Sequence, residues 1–112
     1  MLPFQNRLTK KSDFQKVYAT RESFYTEGLT LKFAPNGLPV ARVGFSVEKK
    51  WFKKAVERNW AKRKLRESTR PLLKKIKPGV DVAIIAKDPR SIENMHRVMQ
   101  NVEKLFRQSN LI

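Results

Sequence analysis

The sequence predicts a mixed α/β protein, an α+β sandwich, from three observations. Two stretches, 29–34 and 41–47, alternate apolar and polar side chains with the period of two typical of strands. The basic stretch 49–70 has the composition of an exposed helix and is closed by a proline. The apolar run 80–86 has the length of a strand buried on both faces. The order strand, long helix, buried strand indicates a βαβ crossover with the last strand parallel to an earlier one.

Length and composition point to one nucleic-acid-binding domain spanning residues 1–112. Lys and Arg number 25 against 10 Asp and Glu, and a formal charge of +15 repels itself unless an acidic partner neutralises it. The chain has no Cys, which excludes disulfides and thiol chemistry. Its longest apolar run is too short to cross a bilayer and its N-terminus lacks the apolar centre of a signal peptide, so we expect a cytoplasmic protein.

The first predicted element after an extended lead-in is a short helix. The tetrapeptide SDFQ at 12–15 is typical of a capping box, and the helix should run to about Ala19. One face of it is apolar and aromatic, with Phe14, Val17 and Tyr18. These side chains either belong wholly to the core or leave rings partly open as a stacking surface for unpaired bases.

The stretch 20–27 is either a loop throughout or a loop with a short edge strand around Phe24 and Tyr25. A clearer strand starts at Gly28. A turn at 35–39 leads into a return strand, which we expect to pair with its predecessor. Their common polar surface is Thr30, Lys32, Arg42, Gly44 and Ser46, whereas Ala41, Val43, Phe45 and Val47 face the core. The polar surface is either an ordinary solvated face or the floor of a groove for a single strand, in which the glycine permits close backbone approach.

The central helix separates its charges from its apolar side chains. About 140° of its circumference carries Arg58, Asn59, Lys62, Arg63, Arg66 and Arg70, with Ala61, Leu65 and Ser68 behind. Such a face can simply be solvated, but nearly unmixed cations that include Arg and Asn favour binding of phosphate. A last helix, capped by Ser91, should bury Ile92, Met95, Met99, Val102 and Phe106.

Residues suited to independent catalysis are few. The single histidine, His96, excludes a two-histidine nuclease, and the acids Glu57 and Glu67 lie among cations where ion pairing is the simpler interpretation. No Walker loop, dinucleotide fingerprint or zinc-ligand spacing occurs. The sequence therefore predicts a binding protein without an active site of its own.

Three separated segments resemble one family. The segment 58–67, RNWAKRKLRE, resembles the signature helix of the bacterial ribonuclease P protein subunit, whose pattern is Arg-Asn-Arg, any residue, Lys-Arg, two residues, then Arg. The segments 14–18, FQKVY, and 42–47, RVGFSV, are similar to that family's aromatic first helix and to its strand before the signature helix. Two positions depart from the pattern, since Trp60 replaces the second arginine and Lys64 stands where an apolar residue is common. Trp60 could stack on a base or pack on the protein.

The resemblance implies the order α-β-β-β-α-β-α, a mostly antiparallel four-stranded sheet and a βαβ crossover of the rare left hand. It also implies that an RNA subunit with bound Mg²⁺ removes the 5′ leader of precursor tRNA, while the protein helps to dock the leader and supports the RNA fold. We expect the protein itself to hold no metal and no other cofactor. The partners implied are ribonuclease P RNA and precursor tRNA, with no membrane or protein partner.

Residue roles follow from the same resemblance. Contacts to the RNA subunit are expected from Arg58, Asn59, Lys62, Arg63 and Arg66. The leader cleft is expected to contain Phe14, Tyr18, Arg42 and Ser46, with Lys49 and Lys50 as nearby phosphate contacts. The alternatives are a structural RNA-binding protein of ribosomal type, which charge and size fit equally well, and a metal-dependent nuclease that acts without RNA.

Overall fold

The computed structural model describes residues 2–112, and within them the chain forms three α-helices and one four-stranded sheet. The strands are β1 (Phe24–Thr26), β2 (Leu29–Pro35), β3 (Arg42–Val47) and β4 (Val80–Ala86). The helices are α1 (Lys11–Tyr18), α2 (Ala55–Thr69) and α3 (Met95–Gln108), with 3₁₀ turns at Phe4–Asn6, Arg70–Lys75 and Pro89–Ile92. This order and the mostly antiparallel pairing confirm the prediction. No helix within 2–112 is long and apolar enough to cross a membrane.

The sheet has the order β1-β2-β4-β3, so the predicted pairing of β2 with β3 is wrong. β4 lies between them, antiparallel to β2 and parallel to β3. Residues 81–86 of β4 are all buried, and a strand that is apolar on both faces gains most from the central position. The segment from β3 through α2 to β4 is the predicted βαβ crossover.

The helices divide between the two faces of the sheet. α2 and α3 pack together over one face, in a core that includes Leu31, Val43, Leu65, Ile84 and Phe106. α1 packs on the opposite face against β2 and β4, with Val17 at the centre of a smaller cluster. Because one short helix cannot cover a four-stranded sheet, part of this second face stays open beside α1.

The central helix begins later than the sequence predicts, at Ala55 instead of Lys49. Phe52 lies in the preceding loop and is 1% exposed, so its burial holds that loop on the core and delays the helix. The predicted back of the helix is confirmed, since Ala61, Leu65 and Ser68 are buried.

Both predicted serine caps are wrong. α1 begins at Lys11, one residue before Ser12, and its N-cap residue Lys10 makes no side-chain capping bond. The Ser91 hydroxyl donates to the carbonyl of Asp88 within a 3₁₀ turn, while Asn94 caps α3 by accepting the N–H of Arg97. A serine followed by helix-compatible residues can satisfy a tight turn as well as a helix end.

The buried side of α3 differs from the predicted stripe. Val102 and Phe106 are buried as expected, but Met99 is 40% exposed and Met95 is only partly covered. Val98 and Leu105 are fully buried instead. The buried face is thus centred about 60° around the helix from the predicted one, where a β-branched and a leucine side chain pack on the sheet.

Candidate nucleic-acid interface

The basic side of α2 is turned away from the core. The buried positions Ala61 and Leu65 fix the helix orientation, and helical geometry then brings Arg58, Lys62 and Arg66 to one side. These three are half-buried, whereas Asn59, Arg63 and Arg70 are exposed. All six side chains are therefore at least partly exposed, although Arg58 also binds backbone carbonyls of the protein.

Arg58 also holds the loop that precedes α2. Its Nη1 donates to the carbonyl oxygens of Phe52, at 2.8 Å, and Lys53, at 3.0 Å. The same loop presents Lys49 and Lys50 to solvent. Arg58 thus positions two further cations beside the basic side of α2.

A cleft of about 400 Å³ opens between this helix and the sheet. Lys62 and Arg66 line one side of it, and Phe14 of α1 with Gly44 of β3 lines the other. A second cleft, of about 370 Å³, lies next to the first and is lined by Lys11, Tyr18, Ser46 and Val47. The two clefts share Thr9, Phe14, Phe45 and Lys62, so they form one groove. The groove joins Lys62 and Arg66 of the basic helix with the Phe14 and Tyr18 rings and with Ser46. The predicted site residues Arg42, Lys49 and Lys50 line neither cleft.

Phe14 packs directly over Gly44. A Cβ atom at position 44 would lie 2.3 Å from Phe14 Cζ and 2.9 Å from the carbonyl oxygen of Leu8. The glycine therefore makes room for the Phe14 ring and for the Leu8 carbonyl, so the close backbone approach predicted at Gly44 is present and is made by the protein's own N-terminal segment. Tyr18 lies 5.9 Å from Phe14 between ring centroids and is 39% exposed. Phe14 is half-buried, so both rings keep a surface on which a base could stack.

The cations on the sheet are bound by protein groups. Arg42 donates from Nε and Nη2 to the buried carboxylate of Asp81, at 2.8 and 2.7 Å, and its Nη2 lies 3.3 Å from Asp13 of α1. Hydrogen bonding to Asp81 raises the pKa of the Arg42 guanidinium above its ordinary value. Lys32 donates to the carbonyls of Tyr18 and Thr20. The predicted open, cationic sheet surface is thus wrong in part, and Thr30 is also buried.

Trp60 keeps 41% of its surface exposed, and one face of its ring contacts the Lys64 side chain. The Lys64 ammonium lies over its ring and also donates to the carbonyls of Ile92 and Glu93, at 2.9 and 2.8 Å. The two departures from the family pattern therefore contact one another.

Sequence reasoning missed the N-terminal wall of the groove and the second role of Phe45. The Leu8 N–H donates to Val43 O, so the lead-in runs along the free edge of β3 and brings Thr9 to the groove. Phe45 packs against the core as predicted, yet its ring also lines both clefts because β3 is an edge strand. Alternation along a single strand does not reveal which strand lies at an edge.

Groups suited to catalysis are sparse in the described chain. His96 is exposed on α3, where its ring nitrogen lies 3.2 Å from the Gln100 amide. Among residues 2–112 no group of three or more His, Cys, Asp or Glu side chains is arranged to hold a metal ion. The groove presents cations, rings and hydroxyls, which suit binding of a polyanion.

Comparison with known proteins agrees with this geometry. The family model described as Ribonuclease P matches residues 2–110. The ribonuclease P protein component of Caldanaerobacter subterraneus subsp. tengcongensis is 34% identical over 105 residues, which cover 94% of this chain and 90% of the relative. That of Microcystis aeruginosa is 37% identical over 116 residues, covering 99% and 96%.

Solved structures show the same likeness. The RNase P protein of Staphylococcus aureus superposes with a TM-score of 0.82 at 26% identity, covering 95% of this chain and 96% of that one. The RNase P protein of Thermotoga maritima, in complex with 1-(4-fluorophenyl)-2-thiourea, gives a TM-score of 0.78 at 30% identity, covering 88% and 95%.

Proposed function

This chain belongs to the ribonuclease P protein family, and we propose that it docks the 5′ leader of precursor tRNA while an RNA subunit performs the cleavage. It is a protein component of a ribonucleoprotein, so its partner is RNA. The specific partners in this proposal are ribonuclease P RNA and precursor tRNA. The cytoplasm, expected from the sequence, is part of the same proposal.

The observation that carries the proposal is the shared groove. Lys62 lies on the basic side of α2 and also lines both clefts with Phe14. A strand leaving a folded RNA bound on α2 therefore meets aromatic rings without crossing an uncharged surface. Rings bind unpaired bases with little sequence preference, which suits a subunit that meets many different leaders.

The proposal divides the residues into two sets. Contacts to the RNA subunit are assigned to Arg58, Asn59, Lys62, Arg63 and Arg66. The leader cleft is assigned Phe14, Tyr18, Arg42 and Ser46, with Lys49 and Lys50 as nearby phosphate contacts. Lys62 and Arg66 line the groove as well as the basic side of α2, which supports a position for both at the junction between the RNA subunit and the leader.

The chemistry is assigned to the RNA. Mg²⁺ bound by the RNA subunit would supply the activation of water and the stabilisation of charge that hydrolysis of a phosphodiester needs. The protein's cations would lower the repulsion between substrate and catalytic RNA, and we expect no metal or other cofactor on the protein itself. Cleavage at low magnesium should then depend on the protein.

Reconstitution tests this proposal. The purified protein and its cognate ribonuclease P RNA are each incubated with precursor tRNA, alone and together, at a magnesium concentration too low for the RNA alone. We expect 5′ leader release only from the mixture. Release by the protein alone would favour a metal-dependent nuclease, and no stimulation of the RNA would favour a structural RNA-binding protein of ribosomal type.

A further inference from the structure

α1 carries two of the three rings that line the groove, but it has little means of holding its own position. It has eight residues, and helices this short are unstable in isolation. Its central apolar anchor is Val17, which is fully buried. The placement of Phe14 and Tyr18 therefore depends on contacts that fix each end of the helix.

The N-terminal end is held through an ion-pair chain. Asp81 is 5% exposed in β4 and accepts two hydrogen bonds from Arg42 and a third from Asn36, at 2.9 Å. Because these bonds fix the guanidinium plane, the remaining direction of Arg42 Nη2 is toward Asp13, at 3.3 Å. Asp13 lies in the first turn of α1, where a carboxylate also interacts favourably with the helix dipole.

The C-terminal end is held by a lysine of β2. Lys32 Nζ lies 3.3 Å from the carbonyl oxygen of Tyr18 and 3.1 Å from that of Thr20. Tyr18 is the last residue of α1, where the final carbonyl oxygens lack helical partners and the dipole favours a cation, and Thr20 lies just beyond the helix. Lys32 is thus a cap supplied by another element.

We infer that Lys32 and Arg42 are positioning residues, which clamp α1 at both ends and so set the rings against the leader, and do not themselves contact its phosphates. This inference rests on the proposed function for its link to the leader. Both cations lie on the face that forms the groove floor, yet their charges point at acceptors of the protein.

Asp13→Asn distinguishes a positioning role of Arg42 from a phosphate contact, because the two roles predict opposite changes in affinity for the leader. If Arg42 were a phosphate contact, removal of a neighbouring carboxylate would free its Nη2 and strengthen binding of the leader. If Arg42 acts through Asp13, the same change loosens α1 and weakens binding. Arg42 itself is a poor test, because its removal leaves the buried Asp81 carboxylate without its cation and endangers folding.

The experiment uses the full chain reconstituted with ribonuclease P RNA. Affinities for precursor tRNA and mature tRNA are measured over a series of salt concentrations, with Asp13→Asn, Lys32→Met and the control Lys104→Met, which removes an exposed cation of α3. For Asp13→Asn and Lys32→Met we expect precursor binding to weaken by about fivefold, with mature tRNA binding, affinity for the RNA subunit and the salt slope unchanged. The control should leave all four unchanged.

Amide hydrogen exchange of the free protein provides a second readout. The amides of α1 should exchange faster in Asp13→Asn and Lys32→Met than in the wild type or Lys104→Met. Tighter precursor binding by Asp13→Asn, a salt slope lowered by about one in Lys32→Met, or unchanged exchange in α1 would each overturn the inference. If the wild type itself does not prefer precursor to mature tRNA, the leader proposal fails, and exchange in α1 still decides whether the clamp exists.

Discussion

The ammonium nitrogen of Lys64 lies 3.9 Å from the centre of the Trp60 ring. Both residues depart from the pattern of the ribonuclease P signature helix, and the two side chains that stand there contact each other. The tryptophan offers a π face to the cation, and the Lys64 ammonium donates hydrogen bonds to the backbone carbonyls of Ile92 and Glu93. Lys64, held against the Trp60 ring, thus links α2 to the 3₁₀ turn before α3.

Lys64→Met should lower the free energy of unfolding by about 1 kcal/mol, because it removes the cation–π contact and two hydrogen bonds to carbonyls. Urea unfolding of Lys64→Met, Trp60→Leu and the double variant measures the coupling, expected at about 0.5–1 kcal/mol. Additive effects of the two single changes would show that the ring and the ammonium do not stabilise each other.

Arg66→Ala should weaken binding of the RNA subunit and lower the salt slope by about one, because it removes a proposed phosphate contact. Lys64→Met is the matched control. It removes a cation from the same helix, but one whose ammonium already donates hydrogen bonds to backbone carbonyls of the protein. Titration of labelled ribonuclease P RNA over a salt series separates them. Equal slopes for Arg66→Ala and the wild type would count against the assignment of α2.

Gly44→Ala should destabilise the protein by about 1–3 kcal/mol, because the added methyl group overlaps Phe14 and approaches Leu8 O. The cost should fall, but not vanish, in a Phe14→Leu background, where the overlapping ring is absent. Chemical denaturation of the four proteins in this cycle gives both values. A cost independent of residue 14 would show that the ring moves aside freely.

Tyr18→Ala should weaken precursor tRNA binding by about 1–3 kcal/mol, the usual value of a base stacked on an aromatic ring, and leave mature tRNA binding unchanged. Stability should change little, because the Tyr18 side chain is 39% exposed. Affinities of the reconstituted enzyme for substrates with and without a leader provide the measurement. Equal losses for both substrates would remove Tyr18 from the leader cleft.

Glu27→Gln should reduce the sensitivity of folding to acid. Hydrogen bonds from Arg97 and then Asn101 lower the pKa of the Glu27 carboxyl from its ordinary 4.5. The stabilisation is therefore complete above pH 4.5 and is lost as the pH falls through the lower folded value.

Thermal unfolding at successive pH values checks this sign. The wild type should lose stability more steeply below pH 4.5 than Glu27→Gln does. The control is Glu22→Gln, which removes an exposed carboxylate from the loop before β1. Parallel curves for the wild type and Glu27→Gln would refute the prediction.

The sequence predicts those features that depend on local pattern. The run 80–86 is strand β4 at the predicted bounds, and the basic side of α2 follows from helical period and its small buried residues. Strand adjacency depends on which strand gains most from burial, so the return strand after the turn at 35–39 does not pair with its neighbour in the chain.

The groove shows the same division. Residue types predict its rings and cations, whereas the partners of Arg42 and Lys32 depend on side-chain geometry between distant elements. The sequence does not show the contact between Trp60 and Lys64 for a similar reason. That contact depends on the side-chain rotamers and on the carbonyls near the turn before α3 that hold the Lys64 ammonium.

The place of β4 has a consequence for synthesis of the chain on the ribosome. The strand between β2 and β3 is the last of the four to be translated, and both of them hydrogen-bond to it. A nascent chain that ends before Val80 lacks the strand that joins β2 to β3, so the four-stranded sheet cannot form before β4 is translated. Every residue that lines the groove is translated before β4, yet the strand that holds β3 beside β2 comes after all of them.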